Sequence, residues 1–322
     1  MILLLKINYV FLYIYKMIIV GNGSKNYMDI TKLLGETCLR YIKNDSRFKD
    51  MTIGFFIRDR ADIFMSHGCA DKNYREIENC KYLHNFKLIL VPGPWLKYKL
   101  ISLGVHPSKI ACVGWPKIDP LFLQLKYHAR RRTNKDIKKI LWAPTHTSGI
   151  KECHKKSISS NPGLKEHLEL LNSIKGISIV TSEHPKNRNK KTPTLNKLVT
   201  CDYVIADSGS TIYEAWALGK PVIFPDWIVK ESIIENVKGS SEEYIYNKKI
   251  GYHANNIDEL IMFLKSELVI EKDVADFMEA YMPSKFNGLS GQAVSEVLVN
   301  YYEKIKKQNL KQRVVNCNLK LF

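Results

Sequence analysis

The sequence predicts an α/β fold of two Rossmann-like lobes, each a mostly parallel sheet flanked by helices. Short apolar runs alternate with amphipathic stretches along the chain, the rhythm of strand, crossover helix and strand. The 322 residues, 45% of them hydrophobic, exceed what one core usually organises and suffice for two. A polar, strongly basic stretch from Pro120 to Lys139 separates two such series.

The first series opens at 17–20, an apolar run that enters a turn at Gly21-Asn22-Gly23-Ser24. Residues 1–20 are apolar enough to suggest a membrane segment. Lys6, Asn8 and Lys16 interrupt them and no small-residue cleavage site follows, so a first strand with a surface-seeking extension is the better reading. Strands are expected next at 51–56, 63–66, 87–91 and 109–113.

The second series opens with Ile140-Leu141-Trp142-Ala143 and continues with strands at 177–181, 203–205 and 221–224 and helices at 163–174, 211–218 and 257–268. In 291–306, Val294, Val297, Leu298 and Tyr301 fall on one helical face, expected to cross back to the first lobe, with a loose tail beyond Lys307. The expected division is 1–130, 131–290, and a C-terminal helix and tail at 291–322.

The chain carries 49 Lys and Arg against 32 Asp and Glu, a formal charge of +17. Such an excess suits nucleic acid, an anionic membrane surface or a phosphate-rich substrate. The basic residues are scattered or lie in loops, and no recognition-helix, zinc-finger or aromatic RNA-binding signature is present, which argues against nucleic acid. Seven cysteines without CxxC spacing indicate neither a disulfide framework nor a zinc site, so no metal or cofactor is expected and a reducing cytoplasm is the simplest home.

Three stretches carry chemistry. In Ser66-His67-Gly68-Cys69-Ala70-Asp71-Lys72 a histidine ends a strand, where open α/β sheets bind ligands, and Gly68 lets backbone approach a ligand closely. His67 has the unperturbed pKa of a base that takes a proton from a hydroxyl near neutrality, although a plain loop histidine explains the position equally well. In Thr181-Ser182-Glu183-His184-Pro185-Lys186 a second strand ends in a histidine, and His184 could donate a hydrogen bond to a phosphate oxygen as charge moves onto a leaving group.

The strongest stretch runs from Asp202 to Ile223: a strand, the turn Asp207-Ser208-Gly209-Ser210-Thr211, a helix and another strand. Backbone N–H groups at that helix start, with the hydroxyls of Ser208, Ser210 and Thr211, suit a pyrophosphate, and Glu214 suits a ribose diol. Helix capping alone accounts for the same residues and is compatible with phosphate binding. Ala143-Pro144-Thr145 places Thr145 just after the second lobe's first strand, where it is a candidate contact to the donor's phosphate or base, although a strand-ending turn explains it nearly as well. No Asp-x-Asp, lysine-bearing P-loop, GxSxG or GxGxxG motif occurs.

With these residues in place, the chain from about Ile63 to about Leu298 resembles the CDP-glycerol:poly(glycerophosphate) glycerophosphotransferase family of teichoic-acid primases and polymerases. The resemblance is carried by His67-Gly68 with Lys72, by Leu90-Val91-Pro92-Gly93-Pro94-Trp95 leading to Val113-Gly114-Trp115-Pro116-Lys117-Ile118-Asp119, by Ala143-Pro144-Thr145, by His184-Pro185 and by Asp207-Ser208-Gly209-Ser210. The family turn usually has tyrosine and serine where Ser208-Gly209 stand, and aspartate where Glu214 stands. A glutamate there is similar to the ribose carboxylate of nucleotide-sugar enzymes such as the UDP-N-acetylglucosamine 2-epimerase group.

The resemblance implies a GT-B architecture and transfer of glycerol phosphate from CDP-glycerol to a lipid-linked or polymer acceptor in teichoic-acid or capsule-type synthesis. It implies His67 as base and His184 as phosphate partner. Ser210 and Thr211 would lie around the donor, with Gly68, Lys72, Gly114, Pro116 and Lys186 lining the cleft. The charge suits a peripheral enzyme at the inner face of the cell membrane. Glycosyl transfer from a nucleotide-sugar and a non-catalytic role in an envelope-polymer assembly are the alternatives.

Overall fold

A computed structural model describes residues 9–14, 17–22, 51–74, 80–131, 137–145, 158–161, 163–184 and 194–318. Two sheets organise them. The first contains β1 (Tyr9–Ile14), β2 (Met17–Asn22), β3 (Thr52–Gly54), β4 (Ile63–Met65), β5 (Leu88–Val91) and β6 (Ile110–Cys112), side by side in chain order. β1 and β2 are antiparallel, with Ile14 opposite Met17, and the remaining pairs are parallel. The apolar N-terminal stretch thus supplies two strands where one was expected. Aromatic and branched residues dominate Tyr9–Ile14, the composition that pleated strands favour.

The second sheet contains β7 (Lys138–Ala143), β8 (Ile177–Thr181), β9 (Tyr203–Ala206), β10 (Val222–Pro225) and β11 (Tyr252–Ala254), all parallel, in the order β11-β10-β9-β7-β8. β9 and β10 are buried along their whole length, as a parallel strand covered by helices on both faces must be.

Among the described residues the α-helices are α1 (Pro94–Ser102), α2 (Asp119–Arg131), α3 (Leu168–Asn172), α4 (Thr194–Thr200), α5 (Ser210–Ala217), α6 (Asp226–Asn236), α7 (Ser241–Lys248), α8 (Ile257–Lys265), α9 (Lys272–Tyr281) and α10 (Ser290–Asn318). Two of them correct the sequence reading. The basic stretch after Pro120 is helical as far as Arg131, because Leu121 is buried and Phe122 and Leu125 pack beside it. α10 continues to Asn318 where a loose tail was expected beyond Lys307, since residues 308–318 hold neither glycine nor proline to stop it.

One face of the first sheet buries Met51, Ile53, Met65, Leu88 and Leu90 against Val294 and Leu298 of α10. Each of these side chains contributes roughly 1.5–3 kcal/mol when fully buried. The other face packs Phe64, Ile89 and Val91 on Leu96 and Leu100 of α1. A third cluster joins the two sheets. Cys69, Trp115, Ile118 and Leu121 from the first share it with Tyr213, Trp216, Phe277 and Tyr281 from the second. The Tyr213 and Tyr281 rings stack at 4.1 Å. Among the described residues, no helix is long and apolar enough to cross a membrane.

Candidate functional site

In the second sheet β7 has β8 on one side and β9 on the other, so the chain changes direction of winding between β7 and β9. Connections leaving these two strands diverge, opening a crevice at their carboxyl ends where open α/β sheets take ligands. Thr145 leaves β7 and Asp207-Ser208-Gly209 leaves β9 at this point. Asp207 ties the two together, for its Oδ2 accepts from Thr145 N at 2.9 Å and from Ser160 N at 2.8 Å. Burial pushes the Asp207 carboxyl up to about 6, against the bonds from Ser160 and Thr145. Thr145 O in turn accepts from Ser159 Oγ at 2.8 Å, and Tyr246 OH donates to Asp207 O at 2.7 Å.

Gly209 then turns the chain into α5 with φ 96°, a conformation that side chains disfavour. Its N–H donates to Glu242 Oε1 at 3.2 Å. Ser208 is buried with its Oγ unpaired, whereas Ser210 and Thr211 at the helix start are half-buried. The turn therefore presents two accessible hydroxyls and the N-terminus of an eight-residue helix to the crevice.

The first lobe meets this turn with His67-Gly68. His67 follows β4, donates its backbone N–H to Phe55 O at 3.1 Å, places Nδ1 3.3 Å from the same oxygen, and stacks its ring on Phe56 at 4.7 Å. Burial lowers its pKa below 6.5. The Phe55 carbonyl opposes that shift, and the charges of Lys117 and Lys72 reinforce it. A Cβ on Gly68 would stand 2.8 Å from Ser210 Oγ, so glycine permits the two lobes to touch at the donor turn.

Behind that contact lies a buried polar cluster that sequence reasoning did not find. Asp71 Oδ1 accepts from Ser241 N at 2.8 Å and Ser241 Oγ at 2.6 Å, and its Oδ2 accepts from Lys99 Nζ at 2.7 Å and Trp95 Nε1 at 3.3 Å. Burial, and then the Asp71 carboxylate, push the Glu242 carboxyl up. The partners are up to 170 residues apart, and no local pattern announces them.

Glu214 is also covered. Its Oε1 accepts from Trp115 Nε1 at 3.1 Å and from Lys117 Nζ at 2.8 Å, both from the first lobe. Pro116 is buried and begins the 3₁₀ turn Pro116–Ile118 that carries Lys117. Gly114 packs against Ser290 and Phe286 near the start of α10. Lys72 is half-buried in the 3₁₀ turn Lys72–Tyr74, close enough to act electrostatically on both His67 and Glu242.

His184 is half-buried three residues after β8, on the same carboxyl edge as Thr145 and one strand away from it. Ser182 holds that exit by donating its N–H to Trp142 O at 2.8 Å. Lys186 lies outside the described residues. His253 is buried, bonded to Asp226 Oδ1 at 2.7 Å and stacked on Phe224.

No family model and no curated protein matches the chain. Solved structures do. A structure of the wall teichoic acid polymerase TagF from a 15-minute soak with CDPG matches with a TM-score of 0.57 at 14% identity, over 89% of this chain and 88% of that one. A 30-minute soak of the same polymerase matches with a TM-score of 0.55. The fold is GT-B. A UDP-GlcNAc 2-epimerase from Methanocaldococcus jannaschii matches with a TM-score of 0.46 at 16% identity, over 86% of this chain and 80% of that one.

Proposed function

We propose that the protein is a glycerophosphotransferase that moves glycerol phosphate from CDP-glycerol to a lipid-linked or polymer acceptor of a cell-surface polymer. The observation that carries this reading is the approach of Gly68 to Ser210, which brings the chain neighbour of a candidate base against the hydroxyl-bearing turn at the sheet's switch point. The motif resemblance and the shared fold with a polymerase soaked with CDPG support the same donor class.

In this mechanism Ser210, Thr211 and the first N–H groups of α5 hold the diphosphate. The acceptor hydroxyl attacks the glycerol-bearing phosphorus, giving its proton to His67. Its oxygen bonds to that phosphorus as the bond to the CMP oxygen breaks, and CMP leaves. His67 suits this role because its depressed pKa leaves it neutral and proton-accepting at pH 7. His184 supports the leaving phosphate with a hydrogen bond, aided by Lys186 and Lys72. The net charge of +17 favours an anionic acceptor and a peripheral position at the inner membrane face.

The test is incubation with CDP-glycerol and a lipid-linked acceptor analogue, with the released nucleotide identified by mass and His67→Ala as control. CMP released by the unsubstituted protein and lost in folded His67→Ala supports the reading. Release of a nucleoside diphosphate from a nucleotide-sugar instead assigns glycosyl transfer, and absence of turnover with retained vesicle binding assigns a docking role.

A further inference from the structure

Lys117 and Glu214 form a mostly buried ion pair between the lobes, with side chains 22% and 3% exposed. Such a pair rarely improves stability over two apolar side chains of the same volume, so packing alone gives little reason for it. Its position is informative. Glu214 lies four residues beyond Ser210 in α5, on the same helix face, so a cation bonded to it stands over the helix's first turn. The charge of Lys117 is felt at His67 and at Cys69, the two sides of Gly68. Lys117 thus stands within electrostatic reach of both neighbours of Gly68, the glycine that meets Ser210. Burial opposes its charge, and the Glu214 carboxylate more than compensates, leaving the ammonium pKa raised.

We infer that Lys117 binds the donor's diphosphate, and that the donor takes it from Glu214, releasing that carboxylate to the ribose diol. The inference rests on the proposed donor site. A diphosphate carries more charge than one carboxylate and offers more acceptor oxygens to an ammonium, so the exchange runs toward the nucleotide. Until then each side chain keeps the other from being an unpaired buried charge. Phosphate recognition and ribose recognition are thereby coupled through one hydrogen bond.

Calorimetric titration with CDP, cytidine and inorganic pyrophosphate tests this on the full chain, Lys117→Met and Glu214→Gln. Lys117→Met weakens CDP and pyrophosphate about tenfold to a hundredfold, the range for one charge-assisted hydrogen bond, and, by freeing Glu214, makes cytidine bind more tightly. Glu214→Gln keeps the ammonium and removes its competitor, so pyrophosphate binds about tenfold more tightly and cytidine more weakly. Equal affinities in Lys117→Met and the unsubstituted protein, or an equal loss of CDP and cytidine, overturn the inference and leave the proposed function standing. Should Lys117→Met not fold, unchanged pyrophosphate affinity in Glu214→Gln overturns it. An unsubstituted protein that binds neither CDP nor CDP-glycerol overturns both readings.

Discussion

Gly68 of the first lobe lies against Ser210 of the second so closely that a methyl group at position 68 would stand 2.8 Å from the serine hydroxyl. Serine can rotate away from such a group, so Gly68→Ala costs little stability but removes the hydroxyl from the place where a phosphate would meet it. The expected result is a rise of about tenfold in the donor's KM with a melting temperature within a few degrees of the parent. A variant that loses most of its thermal stability instead would mark the contact as structural.

Asp71 gives the opposite outcome. It is fully buried and accepts from Ser241, Trp95 and Lys99, so Asp71→Ala takes the carboxylate from a mostly buried ammonium and the acceptor from three further donors. Loss of one partner of such a pair costs about 3–5 kcal/mol. Urea unfolding should show that loss, with Asp71→Asn falling between the variant and the parent.

The pH dependence of activity follows from His67. Burial lowers its pKa below 6.5, so the acid limb of kcat/KM should fall below pH 6.5. Lys117→Met removes one charge that depresses the imidazole, and the limb should move upward. An unmoved limb would separate the base from His67.

Stability has its own pH dependence through Asp207. Its folded-state pKa of about 6 lies above the ordinary 3.8, so its contribution is greatest below about pH 4 and is lost as pH rises through 6. Between about pH 4 and pH 7 the loss is on the order of 2 kcal/mol. Asp207→Asn can keep both N–H bonds on its oxygen, because Thr145 and Ser160 share Oδ2 and Oδ1 has no partner. Its urea midpoint should therefore vary less with pH, and a profile as steep as the parent's would contradict the assignment.

The strands were legible because parallel strands buried on both faces are apolar runs with abrupt ends. Tyr203–Ala206 runs one residue past its expected span and Val222–Pro225 is shifted by one, and both are buried throughout. α2 was obscured because its basic residues drew attention from the spacing of Leu121, Phe122 and Leu125. The turn Asp207-Ser208-Gly209-Ser210 was legible because glycine and hydroxyls after a strand have a local reason to be there. Lys117, in the stretch Gly114-Trp115-Pro116-Lys117, has no local sign of its role, because its partner Glu214 is 97 residues away. Asp71 and Ser241 were hidden for the same reason.

The return of α10 to the first sheet reverses the usual order in which lobes complete themselves during synthesis. Domains generally fold as they emerge, N-terminal first. Here the first sheet lacks Val294 and Leu298 until long after its own last strand has been made, whereas the second sheet has its five strands once Ala254 is out. The half encoded later is thus the half that can settle earlier, leaving the surface that carries His67 to be assembled last.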